Sequence, residues 1–247
     1  MLKKEHLYYF KLLSQQENLT QAISSRSMGD MTEADKVKQR QNIQKFLGKI
    51  GLRIDDLVTM EQVHGNRVEI AWINHKGTEI KKVDGLVTQE KNLILAIKTA
   101  DCLPLVAYDP QEIVLGVAHA GWKGIINNIV CQLVDKLKEL GGHVGDIVVG
   151  IGPHIGPCCY RINKQRARQF RANFGDLPGM INIRDAAYYL DLSVPLIWQL
   201  RTSGIPVKNI EPAGICTACR NDEFFSFRKD GRPFGEFLTV AAIGDNL

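Results

Sequence analysis

Three side chains in this sequence carry donors that could share one ion or one reaction: His64, Cys102 and His119. Two of them end apolar runs. LILAI (residues 93–97) leads into Thr99-Ala100-Asp101-Cys102, and IVLGVA (residues 113–118) leads into His119-Ala120-Gly121-Trp122. Gln62-Val63-His64-Gly65 lies upstream. A polar group buried without a partner costs a few kcal/mol, so a Cys and a His at the ends of buried strands need a reason to be there. One thiolate and two imidazoles make a borderline-soft donor set, for which Zn²⁺ is the leading ion and copper the second. Three protein ligands leave a fourth position open, as at catalytic zinc, where the ion brings the pKa of a bound water towards ~7. Asp101, beside Cys102, is a candidate to orient an imidazole or to accept a proton. The spacings, 38 residues from His64 to Cys102 and 17 from Cys102 to His119, match no short zinc motif. A metal-free alternative therefore stands on the same residues, with Cys102 as nucleophile and His119 as its base.

The elements that must position these groups read as strands followed by helices, without strict βαβ alternation. That pattern predicts an α+β fold with a mixed sheet. The Ile/Val/Leu-rich runs at 93–97 and 113–118 predict buried strands, with a third between them at Leu103–Tyr108. Leu57–Gln62 and Val68–Ile73 predict a hairpin turning at His64-Gly65-Asn66. Thr32 is the candidate cap of a helix over Glu33–Lys49. One helix is expected from Trp122 to Leu140, with Ile125, Ile129, Leu133, Leu137 and Leu140 on one stripe and Gly141-Gly142 as the stop. Strand Ile147–Ile151 runs into a rigid loop, Gly152-Pro153-His154-Ile155-Gly156-Pro157-Cys158-Cys159-Tyr160. Helices over Lys164–Phe174 and Leu192–Arg201 follow, then strands at Ile210–Gly214, Phe224–Phe227 and Phe237–Ile243.

Composition bounds the rest. A chain of 247 residues exposes roughly 11,000 Å² folded against about 40,000 Å² unfolded, enough to bury a core without staples. Its net charge of +4 is mild, and no Lys/Arg block marks a nucleic-acid arm. The N-terminal MLKKEHLYYFKLLSQQ has no signal-peptide pattern, and no apolar run approaches the ~20 residues of a membrane span. Six cysteines in a chain this long are no disulfide framework. The expectation is a cytoplasmic protein with reduced thiols and no nucleic-acid or membrane partner. Cys216-Thr217-Ala218-Cys219 has the spacing of a zinc knuckle, but no second Cys-x-x-Cys accompanies it, so it and the adjacent Cys158-Cys159 are expected to be packing residues.

Several blocks together carry a family resemblance. Gln62-Val63-His64-Gly65, Thr99-Ala100-Asp101-Cys102-Leu103-Pro104, His119-Ala120-Gly121-Trp122-Lys123-Gly124, Ile151-Gly152-Pro153 with Cys158-Cys159-Tyr160, and Phe224-Phe225-Ser226-Phe227-Arg228-Lys229-Asp230 stand in order over about residues 55–245. They resemble the successive signatures of the laccase-domain, or YfiH-like, family. The family is named for polyphenol oxidase activity and is also credited with purine nucleoside phosphorylase activity. The resemblance implies a layered α/β sandwich like that of certain cysteine hydrolases, formed as one catalytic domain over residues 1–247. It implies His64, Cys102 and His119 as metal ligands. It also implies phosphorolysis of adenosine, inosine and S-methyl-5′-thioadenosine to the free base and a (methylthio)ribose 1-phosphate, with adenosine deamination beside it. Purine nucleosides and phosphate are then the partners. Arg26, Lys98 and Arg228 are the candidate phosphate ligands, and His154 in its rigid loop is a candidate substrate contact. The sequence departs from the family pattern in a shortened loop after Arg26, and at Lys123, Arg161 and Glu236, and the shortened loop leaves a non-catalytic metal-binding protein as a further alternative. The laccase label itself fails on composition. The six histidines include no His-x-His pair, too few and too scattered for a trinuclear copper cluster, although one copper can enter a zinc site of this kind.

Overall fold

The computed structural model describes residues 1–244, so the last three positions of the expected 1–247 unit lie outside the described residues. Two mixed sheets face each other. The first has seven strands in the order Leu2–Lys4, Leu7–Tyr9, Leu19–Ser24, Phe237–Ile243, Ile94–Thr99, Leu57–Met60, Glu79–Ile80. The second has six: Ile210–Pro212, Val148–Ile151, Leu103–Asp109, Val114–Ala120, Gly85–Thr88, Val68–Ile70. A small third sheet joins Arg161–Ile162, Ala187–Leu190 and Ile181–Arg184.

Side-chain alternation explains the layering. In Ile94–Thr99, Leu95 and Ile97 point into the space between the sheets, where Val106, Tyr108, Leu115, Val117 and Phe237 meet them. Ile94 and Ala96 point the other way, onto Phe46 and Leu47 of helix Lys36–Gly48. On the second sheet, Leu103, Leu105, Val114 and Ala118 face outward against Ile129, Leu133, Leu137, Phe170, Leu196 and Leu200 of three helices. The central strands are thus buried on both faces. That is why they read as continuous apolar runs rather than as alternating ones. The result is a layered sandwich of helix, sheet, sheet and helices, as the resemblance implied. Among the described residues, no helix is long and apolar enough to cross a membrane.

Several local expectations need correction. The expected hairpin at 57–73 does not form. Leu57–Met60 pairs parallel to Ile94–Thr99 in the first sheet, whereas Val68–Ile70 pairs parallel to Gly85–Thr88 in the second. Residues 61–67 therefore cross between sheets. Helix Trp122–Leu140 is two helices, Trp122–Ile126 and Ile129–Glu139. Asn128 between them takes φ 61°, a left-handed conformation that Asn tolerates. The buried Gln199 stabilises the break, its Nε2 donating to Ile125 O and Asn128 Oδ1, both at 2.8 Å. The first long helix starts at Lys36 rather than Glu33. Asp35 caps it, accepting from Val37 N at 2.9 Å, while the Thr32 hydroxyl is taken by Asp30. Residues 224–227 form no strand. Phe224 and Phe225 plug the core, and Ser226 caps a short helix, Phe227–Asp230.

Candidate active site

The three sequence-predicted donors meet at one end of the sandwich. His64 sits on the crossover between sheets, with φ 59°. Cys102 ends the tight connection that carries the chain from Ile94–Thr99 in the first sheet to Leu103–Asp109 in the second. His119 lies near the end of strand Val114–Ala120. One ligand atom from each falls within 4.8 Å of the others. Cys102 Sγ is 3.9 Å from His64 Nε2, and the two imidazole rings meet edge to face at 4.7 Å. Gly121 closes this cradle. A Cβ there would stand 3.0 Å from His64 Cδ2 and 3.3 Å from Cys102 Sγ, so any larger residue would fill the space the donors enclose.

Asp84, just before strand Gly85–Thr88, organises the cluster. It is fully buried. Its carboxylate accepts from the backbone N–H groups of Val63, His64 and Gly65 at 3.3, 2.9 and 2.6 Å, and from His119 Nδ1 at 2.8 Å. Burial alone would raise its pKa, but the His119 hydrogen bond and the Gly65 N–H outweigh burial and leave it lowered. An ionised Asp84 can only accept, so the proton sits on Nδ1 of His119 and Nε2 is turned to the cluster. Cys102 and His119 are strongly coupled. Burial opposes charge on both, yet the neighbouring imidazoles draw the Cys102 thiol down to about 7. The Cys102 charge and the Asp84 hydrogen bond hold His119 up at about 10. The neighbouring groups thus lower the thiol and raise the imidazole, and a divalent cation entering this donor set displaces the protons they carry.

The cluster opens into a cavity of about 300 Å³. Trp122, Tyr160, Arg166, Arg228, Arg232 and Glu236 line its walls. The Arg166 guanidinium lies 3.5 Å from the centre of the Trp122 ring. Arg228 lies over Tyr160 at 4.8 Å and donates from Nη1 to Arg161 O at 2.9 Å. Burial raises the pKa of Glu236, opposed by the charges of Lys98 and His119.

The other predicted residues are dispersed. Asp101 lines the cavity but touches no imidazole. Its Oδ1 accepts from Thr217 Oγ1 at 2.6 Å and its Oδ2 from Arg228 N at 2.7 Å. These bonds hold its own unusual backbone, φ 91°, and the orienting role falls to Asp84. Arg228 is on the cavity wall as expected. Arg26 is not: it pairs with Asp230 at 2.6 Å and stacks over Phe225. Lys98 stays outside the lining, its backbone clamped by the Gln62 amide at 2.8 and 2.9 Å. His154 is buried behind the wall, Nδ1 donating to Gly152 O at 2.8 Å, with burial lowering its pKa. Its neighbour Ile155 faces the cavity.

Residues 15–244 match the family model described as multi-copper polyphenol oxidoreductase laccase. The chain belongs to this family. Among curated relatives, purine nucleoside phosphorylase YlmD of Bacillus subtilis is 33% identical over 85% of this chain and 78% of its own length. Human purine nucleoside phosphorylase LACC1 is 32% identical over 84% of this chain, which spans about half of that longer protein, 48%. Adenosine deaminase RL5, from an unknown prokaryotic organism, is 28% identical over 77% of this chain and 76% of its own length. The crystal structure of YlmD from Geobacillus stearothermophilus superposes with a TM-score of 0.85 at 26% identity, covering 95% of this chain and 94% of that one. The family's descriptive name points to metal binding, and the described residues contain two groups of Cys and His able to hold an ion.

Proposed function

We propose that this chain is a zinc-dependent purine nucleoside phosphorylase, one catalytic domain acting in the cytoplasm on adenosine, inosine and S-methyl-5′-thioadenosine. The observation that carries this reading is the convergence of His64, Cys102 and His119 at the floor of a cavity walled by three arginines and the half-buried Glu236. The family's phosphorylase-named members support it.

The donor chemistry fits zinc. The Cys102 thiol is lowered towards neutrality, His119 is oriented by Asp84, and Gly121 keeps the enclosed space open. Zn²⁺ held by His64, Cys102 and His119 would supply Lewis acidity beside the cavity. Arg228, Arg166 and Arg232 present planar guanidinium groups suited to a phosphate. Trp122 and Tyr160, each stacked with an arginine, add aromatic surface to the wall against which a purine would lie. Phosphate oxygen attacks the anomeric carbon as the bond from that carbon to the purine nitrogen breaks, and the bonding pair leaves with the base. The leaving purine needs a proton, and Glu236 on the cavity wall, whose pKa burial raises, is the candidate donor. The same cavity would take adenosine in a deamination, in which water adds at purine C6 and the amino group leaves as ammonia with the glycosidic bond intact; one relative is named adenosine deaminase. True laccase chemistry is not part of this reading, for want of histidines.

One observation favours a second reading. Cys102, His119 and Asp84 have the relation of nucleophile, base and orienting acid, as a metal-free cysteine hydrolase would require. Product analysis of inosine, adenosine and methylthioadenosine reactions, with and without phosphate, separates the two. Phosphate-dependent release of hypoxanthine or adenine, abolished in Cys102→Ala and in chelated protein, is expected. Turnover that persists without metal and ignores phosphate would overturn the lead reading in favour of the hydrolase.

A further inference from the structure

A second group of metal-capable side chains lies outside the cavity. Strands Val148–Ile151 and Ile210–Pro212 are parallel neighbours, so the loops that follow them leave the same end of the sheet. Beyond the strands the loops stay paired, His154 bridging to Cys216, with Thr217 N donating to His154 O at 3.0 Å. This pairing brings Cys158 and Cys159 of the first loop to Cys216 and Cys219 of the second. The four Sγ atoms lie within 4.8 Å of one another. Cys219 Sγ is 3.4 Å from both Cys158 Sγ and Cys159 Sγ. All four thiols are free.

We propose that Cys158, Cys159, Cys216 and Cys219 together bind one structural Zn²⁺. A tetrahedral centre with Zn–S bonds of about 2.3 Å holds its sulfurs roughly 3.8 Å apart, and the four Sγ atoms, all within 4.8 Å of one another, are near that spacing. Cys216 and Cys219 have the two-residue spacing of zinc knuckles. The missing second Cys-x-x-Cys is replaced by an adjacent pair that strand pairing delivers. The backbone is arranged for thiolate as well. Gly156 N–H donates to Cys216 Sγ at 3.2 Å, and Arg220 N to Cys216 O at 2.9 Å closes the turn. A Cβ at Gly156 would stand 3.3 Å from both Cys158 Sγ and Cys216 Cβ, so a side chain there would crowd the sulfurs. Four soft thiolates select zinc over magnesium or calcium. With all four positions filled by protein the centre is closed and has no room for substrate.

Its consequence is mechanical. Thr217, inside the Cys216–Cys219 turn, donates to Asp101, and Ile155 N, in the partner loop, donates to Asp101 O at 3.0 Å. The ion would tie together the two loops that hold Asp101, and with it Cys102.

Elemental analysis of reduced protein, purified without chelator, tests this. Two zinc ions per chain are expected in the wild type and one in Cys216→Ser/Cys219→Ser. Cobalt-substituted Cys102→Ala protein should show the intense visible and near-ultraviolet bands of four-thiolate cobalt, lost when Cys216 and Cys219 are also replaced. If the double serine variant does not fold, the cobalt spectrum of Cys102→Ala decides alone. A wild type holding one zinc that Cys216→Ser/Cys219→Ser leaves in place would overturn the proposal. So would iron in place of zinc at the thiols, a Cys102→Ala protein without the four-thiolate spectrum, or an intact mass showing a Cys158–Cys219 disulfide in reduced preparations. The count stands apart from nucleoside turnover, so failure here leaves the phosphorylase reading untouched.

Discussion

Asp84 Oδ1 stands 2.8 Å from His119 Nδ1 and 2.9 Å from the backbone nitrogen of His64. One buried carboxylate thus fixes the tautomer of one candidate ligand and the chain position of another. The two histidines are 55 residues apart in sequence, yet they are set by the same group.

Asp84→Asn should therefore weaken metal binding more than an ordinary surface change would. Groups that orient a ligand from behind are typically worth 10–100-fold in affinity. Competition with a chromophoric chelator is expected to show a loss in that range, with the Cys158/Cys159/Cys216/Cys219 thiols counted separately. Unchanged affinity would remove Asp84 from the organisation of the site.

Gly121→Ala should act on the cluster with little effect on the fold. Its φ of −75° suits alanine, so the cost lies in the new methyl against His64 and Cys102. Without metal, His64 and Cys102 can relax away from the methyl, but not while both hold an ion, so the overpacking cost of about 1–3 kcal/mol falls on binding. About a tenfold fall in zinc affinity is expected, with the melting temperature of metal-free protein nearly unchanged.

In metal-free protein, Cys102 should alkylate at lower pH than an ordinary thiol. Its pKa of about 7 puts the half-maximal rate of iodoacetamide labelling, read on the Cys102 peptide, near pH about 7. Zinc should protect the thiol. Labelling that rises only above pH ~8.5, the ordinary thiol range, would show that the neighbouring imidazoles do not hold the thiolate.

Glu236→Gln should stabilise metal-free protein at neutral pH. The carboxyl pKa is raised in the folded chain, with burial the largest cause. The fold therefore binds its proton more tightly than the unfolded chain does. Stability from this group is complete below the unfolded pKa and is lost as pH rises through the folded one. The variant's melting temperature should exceed the wild type's at pH 7, and the gap should close in acid. A gap independent of pH would mean that the carboxyl titrates normally.

Arg228→Ala should raise the KM for phosphate about tenfold or more, since a charged hydrogen bond is worth about 1.5–3 kcal/mol. Arg228→Lys keeps the charge but loses the planar fork, and should restore only part of the effect. Initial rates against phosphate concentration decide it. A change confined to kcat would place Arg228 with the Tyr160 wall rather than with the anion.

Residue types alone determined that His64, Cys102 and His119 are chemically able to share an ion, and the Ile/Val/Leu runs determined strands buried on both faces. Those features are local: a donor set is a property of side chains, and continuous apolar strands follow from two-sided burial. Arg228 could be singled out from its motif, but its place on the cavity wall came with the fold. Other features needed the tertiary structure. Asp84 reads as a turn residue because nothing nearby in sequence shows that 63–65 and 119 come back to it. Arg26 and His154 carry chemistry at the right sequence positions, but Asp230 and Gly152 claim their polar atoms. The break at Asn128 breaks no helical pattern by itself and depends on Gln199 reaching it from another helix. Cys158-Cys159 and Cys216–Cys219 are unremarkable apart, and it takes parallel pairing of two distant strands to bring four sulfurs to one point. Side-chain chemistry and hydrophobic period are written in neighbouring residues. Which polar groups satisfy one another is decided only when burial removes water as their partner.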